Sequence, residues 1–395
     1  MSVENLQKKL TEFPRLPECG ISIVIPVRDE TENVEKSLQA FVRQINFNGK
    51  SLNFNEFEII ILANNCKDNS FEIIENFRRA NSFLNIHLAE IVLPAINANI
   101  GFVRRLLMNA AFERLRRNDF GGVIMTTDGD TIVADDWIAA NLNEIKNGAD
   151  AVGGRIIILD AELEKMDAII RETHLLDEEY RLLTAEIEAL IDDLPFDNAP
   201  RHHQHFNGSF AVTTEIYEKA GGVPDVKFLE DVAFFDCLQR IDARVRHSLL
   251  VKVFTSARRI GRSEVGLSFQ FNQWKNLSEA GEDFLVESAA SIVERLTAWT
   301  YLRKIWRKFS SGEITDLKTV KQISAGLFIA PESFLNELEK GRTFGLFYKN
   351  LMREQDMRGA WARKFPPAAL DKALNDLRNE VEKRRIQSFS QTSIR

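Results

Sequence analysis

The sequence predicts an α/β fold, a mostly parallel sheet with helices on both faces, followed by a helical C-terminal subdomain. Three observations predict it. Short, near-continuously apolar runs (ISIVIPV from Ile21, FEIIILA from Phe57, VIMTT from Val123) recur between amphipathic stretches, the pattern of strands buried on both faces. Each run stops at a polar turn, and in such sheets ligands bind at the carboxyl ends of the strands. Beyond about residue 265 the strand pattern ceases and the chain reads as helix to Arg385.

In order, strands are predicted at 21–26, 58–63, 86–93 and 122–127, and helices at 32–44, 70–80 and 101–117. Residues 160–193 form a charged, helix-prone segment with Met166, Ile169, Ile170, Leu175, Leu176, Leu182 and Leu183 at helical spacing. A polar stretch at 195–208 holds three of the six histidines. A strand in SFAVTT, a helix at 215–220, the turn Gly221-Gly222-Val223-Pro224, a helix at 232–241 and strands within 243–255 follow. The expected division is an α/β domain over 1–264 and the helical subdomain over 265–395. Residues 284–306 carry apolar and aromatic residues at helical spacing, expected to pack against the α/β domain. Trp299 and Trp306 among Arg303, Lys304, Arg307 and Lys308 leave an interfacial role open.

Bulk properties exclude several classes. The chain has 395 residues, 44% of them hydrophobic, and a formal charge of -7. With a pI near 5.6 it lacks the basic excess of a general nucleic-acid binder. Cys19, Cys66 and Cys237 are odd in number and have no metal-type spacing, which fits a reducing compartment. The N-terminus reads as no secretory signal, and no run approaches the roughly 20 apolar residues of a membrane helix. A cytoplasmic protein without a transmembrane segment is expected, with peripheral membrane attachment and homo-oligomerisation left open.

The chemistry concentrates at strand ends. Asp128-Gly129-Asp130 places two carboxylates at one point of a sheet edge with no side chain between them. That suits a hard divalent cation beside a phosphate leaving group, although Asp and Gly also make ordinary turns. Pro26-Val27-Arg28-Asp29-Glu30 ends the first strand. Asn64 ends the second and offers an amide donor and acceptor to a nucleobase edge, while Asp68, Asn69 or Ser70 reads as the cap of the next helix. Glu230-Asp231 opens a helix whose dipole favours an ionised carboxylate; the plain reading is N-capping. Arg104 and Arg105, and later Arg258, Arg259 and Arg262, are candidate phosphate ligands or solvated surface arginines. His202, His203 and His205 line an acceptor pocket or ligate a metal, and His247 reads as structural.

The order SIVIPVRDE, EIIILANNCKDNS, GFVRRLLMNAA, VIMTTDGDT, GGVPDVKFLEDVAFFDCLQR resembles a family-two glycosyltransferase with the GT-A fold, a Rossmann-like sheet, over about residues 20–260. RHHQHFNGSFAVT and VRHSLLVKVFTSARRIGR are similar to a bacterial subgroup of that family. The resemblance implies a UDP- or GDP-sugar donor, with Pro26, Arg28 and Glu30 along the nucleoside and Asn64 at the base. It implies Mg²⁺ or Mn²⁺ on Asp128 and Asp130, and Asp231 as the base that deprotonates an acceptor hydroxyl in an inverting transfer. Arg104, Arg105 and Arg258 are expected beside the donor, and His203, His205, Gly208 and Glu230 on the side of an unknown acceptor. Two departures matter. Ala63-Asn64 stands where the family often has Asp-Asp or Asp-Asn, which leaves uracil and guanine both open. TSARR stands where many members supply a metal-binding histidine.

A sugar nucleotidyltransferase would want a Gly-rich phosphate loop with a following Lys near the N-terminus, and the chain has none. A dinucleotide oxidoreductase would want G-x-G-x-x-G after the first strand, where Pro26-Val27-Arg28-Asp29-Glu30 stands instead. A non-catalytic nucleotide-sugar-binding or scaffold relative would keep the fold and lose the metal residues, yet Asp128, Asp130 and Asp231 are all present.

Overall fold

The run ISIVIPV becomes β1 (Ile21–Val27), buried at every position, because β-branched residues suit a strand covered on both faces. The computed structural model describes residues 3–14, 16–117, 121–192, 194–256, 266–313 and 316–392. The chain divides into two units: Met1–Asp167, Gln204–Leu238 and Ala243–Asn272 form the first, and Ala168–His203, Gln239–Asp242 and Gln273–Arg395 the second.

Around β1 the first unit runs α1 (Val3–Glu12), α2 (Val34–Val42), β2 (Phe57–Asn64), α3 (Ser70–Ala80), β3 (Ile86–Ile91), α4 (Ile100–Leu115), β4 (Val123–Thr127), β5 (Ile132–Val133) and α5 (Trp137–Lys146). It continues with β6 (Ala151–Ile158) and α6 (Asp160–Leu163). After α7 (Ala168–Ile191), which belongs to the second unit, come β7 (Ser209–Thr213), α8 (Thr214–Lys219), α9 (Glu230–Arg240) and β8 (Val245–Thr255). The eight strands form one sheet in the order β3-β2-β1-β4-β7-β6-β8-β5. β3, β2, β1 and β4 are parallel, as are β6 and β8, while β7 and β5 run antiparallel to their neighbours. The mostly parallel sheet expected from the sequence is present.

One core cluster joins the sheet to its covering helices, with Ile23, Ile25, Ile59, Ile61, Met125 and Val253 from strands and Leu38, Phe41, Ile74 and Trp137 from helices. Pro26 lies past Val24, the last β1 residue paired with β4, where a missing N–H is tolerated. α4 begins where the Asn99 side chain accepts from Phe102 N at 2.9 Å, an N-cap.

The second unit is helical: α7, α11 (Ala289–Ser310), α12 (Leu317–Gly326), α13 (Pro331–Lys340), α14 (Phe344–Arg358), α15 (Ala360–Lys364) and α16 (Leu370–Thr392), with a short pair β9 (Leu285–Val286) and β10 (Ala368–Ala369). α10 (Leu267–Ala280) begins in the first unit and ends in this one. α7, α11 and α16 bury Ile187, Ile292, Leu296, Leu374 and Leu377 together. The aromatic stripe of α11 serves this unit's own core: Trp299 stands edge-on to Phe344 and Tyr348, its Nε1 donates to Asp192 Oδ2 at 3.0 Å, and Trp306 meets Phe344. Among the described residues no helix is long and apolar enough to cross a membrane.

Candidate active site

β2, β1 and β4 lie side by side and parallel, so their carboxyl ends share one edge. The chain moves outward from β1 to β2 and β3, then returns to β4 on the other flank of β1. That reversal opens a crevice between β1 and β4, the usual ligand position in such sheets. Asp128 is the first residue past β4. Gly129 fits against the exit of β1; a Cβ there would lie 3.1 Å from Val27 Cγ2 and 3.3 Å from the Pro26 carbonyl oxygen. Asp130 accepts from Ser256 Oγ at 3.4 Å.

Arg104 organises the carboxylates. Its side chain is only 2% exposed, on a helix that packs against β1, β2 and β4. Nη1 donates to Thr126 Oγ1 at 2.5 Å and to the Thr127 carbonyl at 3.2 Å, and Nη2 donates to Asp128 Oδ1 at 2.5 Å. Nε lies 3.8 Å from Glu230 Oε1. The glycine three residues earlier permits this approach, since a Cβ on Gly101 would sit 2.0 Å from the Val226 carbonyl oxygen in the loop leading to α9.

Glu230 and Asp231 form the first turn of α9. Leu229, just before them, is held at φ +54, a left-handed conformation that strains a branched side chain. Asn207 Nδ2 donates to Glu230 Oε1 at 3.4 Å. Burial pushes the Glu230 carboxyl up; Arg104 pulls it down and Asp231 pushes it up further. Burial likewise raises Asp231, against the Val232 N–H and Arg104, with the charge of Asp128 adding to the rise. The carboxylate at the end of β4 and that at the start of α9 therefore interact beside Arg104.

Of the residues expected along a nucleoside, Arg28 Nη1 donates to the Ala98 carbonyl at 3.2 Å, Glu30 is buried, and Asn64 is buried as the last residue of β2. Asn65 is in the left-handed region at φ +52 and clasps Leu93, its side chain donating to the Leu93 carbonyl at 2.9 Å and accepting from its N–H at 3.1 Å. Asn65 thus shapes the loop, while Asn64 stands at the strand end. Asp68, rather than the cap residue Asn69, accepts from Ser70 N at 3.0 Å and Thr31 N at 3.1 Å. Burial opposes ionisation there, but these bonds win and hold its carboxyl at about 2.

Asp29, Cys66 and Asp68 bring ligand atoms within 4.8 Å of one another. Asp29 Oδ1 already accepts from Lys67 N at 2.6 Å, and burial pushes the Cys66 thiol up, which disfavours the thiolate a metal needs.

Of the residues expected on an acceptor side, Gly208 accepts from Thr127 Oγ1 at 2.9 Å and leaves room beside Asp128, whose Oδ2 is 3.0 Å from where a Cβ would be. His205 stacks on Phe235 of α9 at 3.7 Å, with His247 edge-on at 5.9 Å, so His247 closes a ring cluster. His203 belongs to the second unit. Arg105 pairs with Asp225 at 2.8 Å nearer the surface. Arg258, Arg259 and Arg262 lie outside the described residues. Thr126 and Asn207, absent from the sequence reading, were signalled by hydroxyls in an otherwise apolar strand and by an amide beside Gly208.

Asp128 and Asp130 supply the kind of oxygen donor a divalent cation takes, although the group of three close ligand atoms found among the described residues is Asp29, Cys66 and Asp68. Asp128, Glu230 and Asp231 outnumber the one guanidinium among them; Asp231 raises the proton affinity of Glu230 and Asp128 that of Asp231, repulsion that a cation relieves. The carboxylate oxygens suit a hard ion, and the absent side chain of Gly208 leaves Asp128 Oδ2 approachable.

Residues 22–203 match the family model described as Glycosyl transferase family 2. The resemblance read from the sequence agrees with this match. No curated protein matches the chain in sequence. Among solved structures it is similar to the mannosyltransferase PcManGT from Pyrobaculum calidifontis in complex with GDP-Man and Mn2+, at 14% identity, covering 89% of this chain and 93% of that one with a TM-score of 0.42. It is also similar to S. aureus TarS 1-349 in complex with UDP-GlcNAc, at 12% identity, 86% and 91% coverage and a TM-score of 0.42. Against the longer S. aureus TarS chain, at 12% identity and a TM-score of 0.39, the match takes in 65% of this chain and 42% of that one.

Proposed function

We propose that this protein transfers a sugar from a UDP- or GDP-sugar to an acceptor hydroxyl with inversion at the anomeric carbon. The observation that supports the reading is that Asp128, one residue past β4 and within the segment matched to family two, acts electrostatically on Asp231 in the first turn of α9. Pro26, Arg28, Glu30 and Asn64 would line the nucleoside, and Arg105 would serve the diphosphate; Arg258, expected with it from the sequence, lies outside the described residues. Asp130 and Asp128 would hold Mg²⁺ or Mn²⁺, which supplies positive charge beside the departing diphosphate.

Asp231 accepts the acceptor's hydroxyl proton as that oxygen bonds to the anomeric carbon and the bond to the nucleoside diphosphate breaks. Its raised proton affinity suits a base working closer to neutral pH than an ordinary carboxylate, and such help is worth on the order of 10²–10⁴ in rate. Glu230, His205 and Gly208 would form the acceptor side. The α/β domain over 1–264 carries the chemistry and 265–395 its helical subdomain.

The test is nucleotide release from a panel of UDP- and GDP-sugars with Mn²⁺ or Mg²⁺. Release of one nucleoside diphosphate is expected, lost in Asp231→Asn. A panel that binds but is never turned over favours a sugar-nucleotide-binding relative instead.

A further inference from the structure

The buried guanidinium of Arg104 reaches both sides of the crevice, and its geometry differs from that of a phosphate ligand. Its two terminal nitrogens are already directed at Thr126 Oγ1, the Thr127 carbonyl and Asp128 Oδ1, and its third nitrogen faces Glu230 Oε1 at 3.8 Å. With 2% exposure it offers no open face to a diphosphate. We infer that Arg104 is a positioning residue: it fixes the Asp128 carboxylate against the first turn of α9 through Glu230, and so sets the separation between the donor carboxylates and Asp231. The inference rests on the glycosyltransferase reading above and places Arg104 on the donor side through Asp128 rather than through the phosphates.

Three features make a bracket of this residue. The Thr126 and Thr127 contacts seat one end of the planar fork on the rigid strand β4, one and two residues before Asp128. The Asp128 bond takes Oδ1 and leaves Oδ2 directed at the space that Gly208 keeps open. The close contact of Gly101 with Val226 holds α4 against the loop that leads into Glu230. A lysine cannot reproduce this, because one ammonium on a flexible stem cannot hold two partners in a fixed plane.

The test uses the full chain, Mn²⁺ and the nucleoside diphosphate released by the wild type. Arg104→Lys is expected to bind that nucleotide within about threefold of wild type while turnover falls by about 10²-fold, the penalty of a misplaced reacting group. Thr126→Val removes only the hydroxyl that seats the fork and keeps every charge. It is expected to lower turnover in the same direction, by about tenfold, with binding kept, and to add little when combined with Arg104→Lys, since the two act as one unit.

Turnover of Arg104→Lys within threefold of wild type overturns the inference. So does a tenfold loss of nucleotide binding, which marks a direct phosphate contact. Fully additive losses in the double variant overturn it as well. If Arg104→Lys does not fold, unchanged turnover in Thr126→Val decides against it. Wild type that turns over no nucleotide sugar overturns the glycosyltransferase reading and this inference with it, an outcome distinct from the other four.

Discussion

A Cβ built on Gly101 would lie 2.0 Å from the Val226 carbonyl oxygen, closer than any real side chain approaches a backbone atom. The start of α4 and the loop before α9 are therefore set by the absence of a single carbon. Gly101→Ala must push the Val226 backbone away, and Glu230 Cβ, 3.4 Å from the same point, moves with it. We expect a loss of about 1–3 kcal/mol in stability, the usual range for overpacking, together with reduced nucleotide release. Chemical denaturation and turnover measured on the same preparation check this. Unchanged values for both would mean that the loop yields freely.

Asp231→Asn separates chemistry from stability. Turnover should fall by roughly 10²–10⁴ while nucleotide binding stays near wild type. Stability should move the other way. Burial raises the Asp231 carboxyl in the folded state, so the folded protein holds its proton over a pH range in which the unfolded chain has lost it. Stability from this group is present below the ordinary aspartate range and is lost as pH rises through the folded value. The Asn variant escapes that loss, and so should unfold at a higher temperature than wild type near neutral pH and lose the advantage in acid. Thermal scans across that range decide it, and a variant less stable at neutral pH would count against the sign.

The two aspartates of Asp128-Gly129-Asp130 should respond differently to substitution. Asp130 has hydroxyl neighbours, Thr131 and Ser256, at 3.5 and 3.4 Å. Asp130→Asn should therefore fold normally and lose Mn²⁺-dependent nucleotide binding. Asp128 neutralises the buried Arg104. Asp128→Asn should cost stability as well, about 3 kcal/mol, at the low end for breaking a buried pair because Asp128 itself is partly exposed. Titration of the nucleotide with and without a chelator, beside denaturation curves, tests the contrast.

The parallel half of the sheet was legible because β1, β2 and β4 are buried on both faces and read as unbroken apolar runs. β6 was harder to read, since Gly153 and Gly154 interrupt it. Those glycines have a packing cause: a Cβ on Gly154 would lie 2.1 Å from Ser209 Oγ, and one on Gly153 2.4 Å from the Gln204 carbonyl. Such contacts come from distant parts of the chain, and local pattern carries no trace of them. The same holds at the crevice. Asp128, Asp130 and Asp231 were candidates by their places at a strand end and a helix start, but the direction of Arg104 depends on which face of α4 meets β4. Spacing alone left it a candidate for the phosphates.

A second buried cation, at the opposite end of α4, gives the last prediction. Arg114 Nε donates to Glu58 Oε1 at 2.7 Å and Nη2 bonds Oε2, while Ser22 Oγ and His87 Nε2 approach the same carboxylate at 2.6 and 3.2 Å. Nη1 also donates to the Phe13 carbonyl at 2.8 Å and reaches those of Leu10 and Thr11, so one guanidinium holds the end of α1 and the segment after it. Burial pushes the Glu58 carboxyl up, yet the Arg114 and His87 bonds and the Arg114 charge outweigh it and bring it down to about 2. A depressed carboxyl contributes stability above its ordinary value and loses it as pH falls towards the folded one. Glu58→Gln strands the arginine and should cost about 3–5 kcal/mol near neutral pH. The deficit should shrink between about pH 4.5 and the folded value near 2, where wild type loses the same interaction. Denaturation curves across that interval, with limited proteolysis of the N-terminal helix at neutral pH, measure both effects. A deficit that stayed constant with pH would mean that Glu58 contributes by packing rather than by charge.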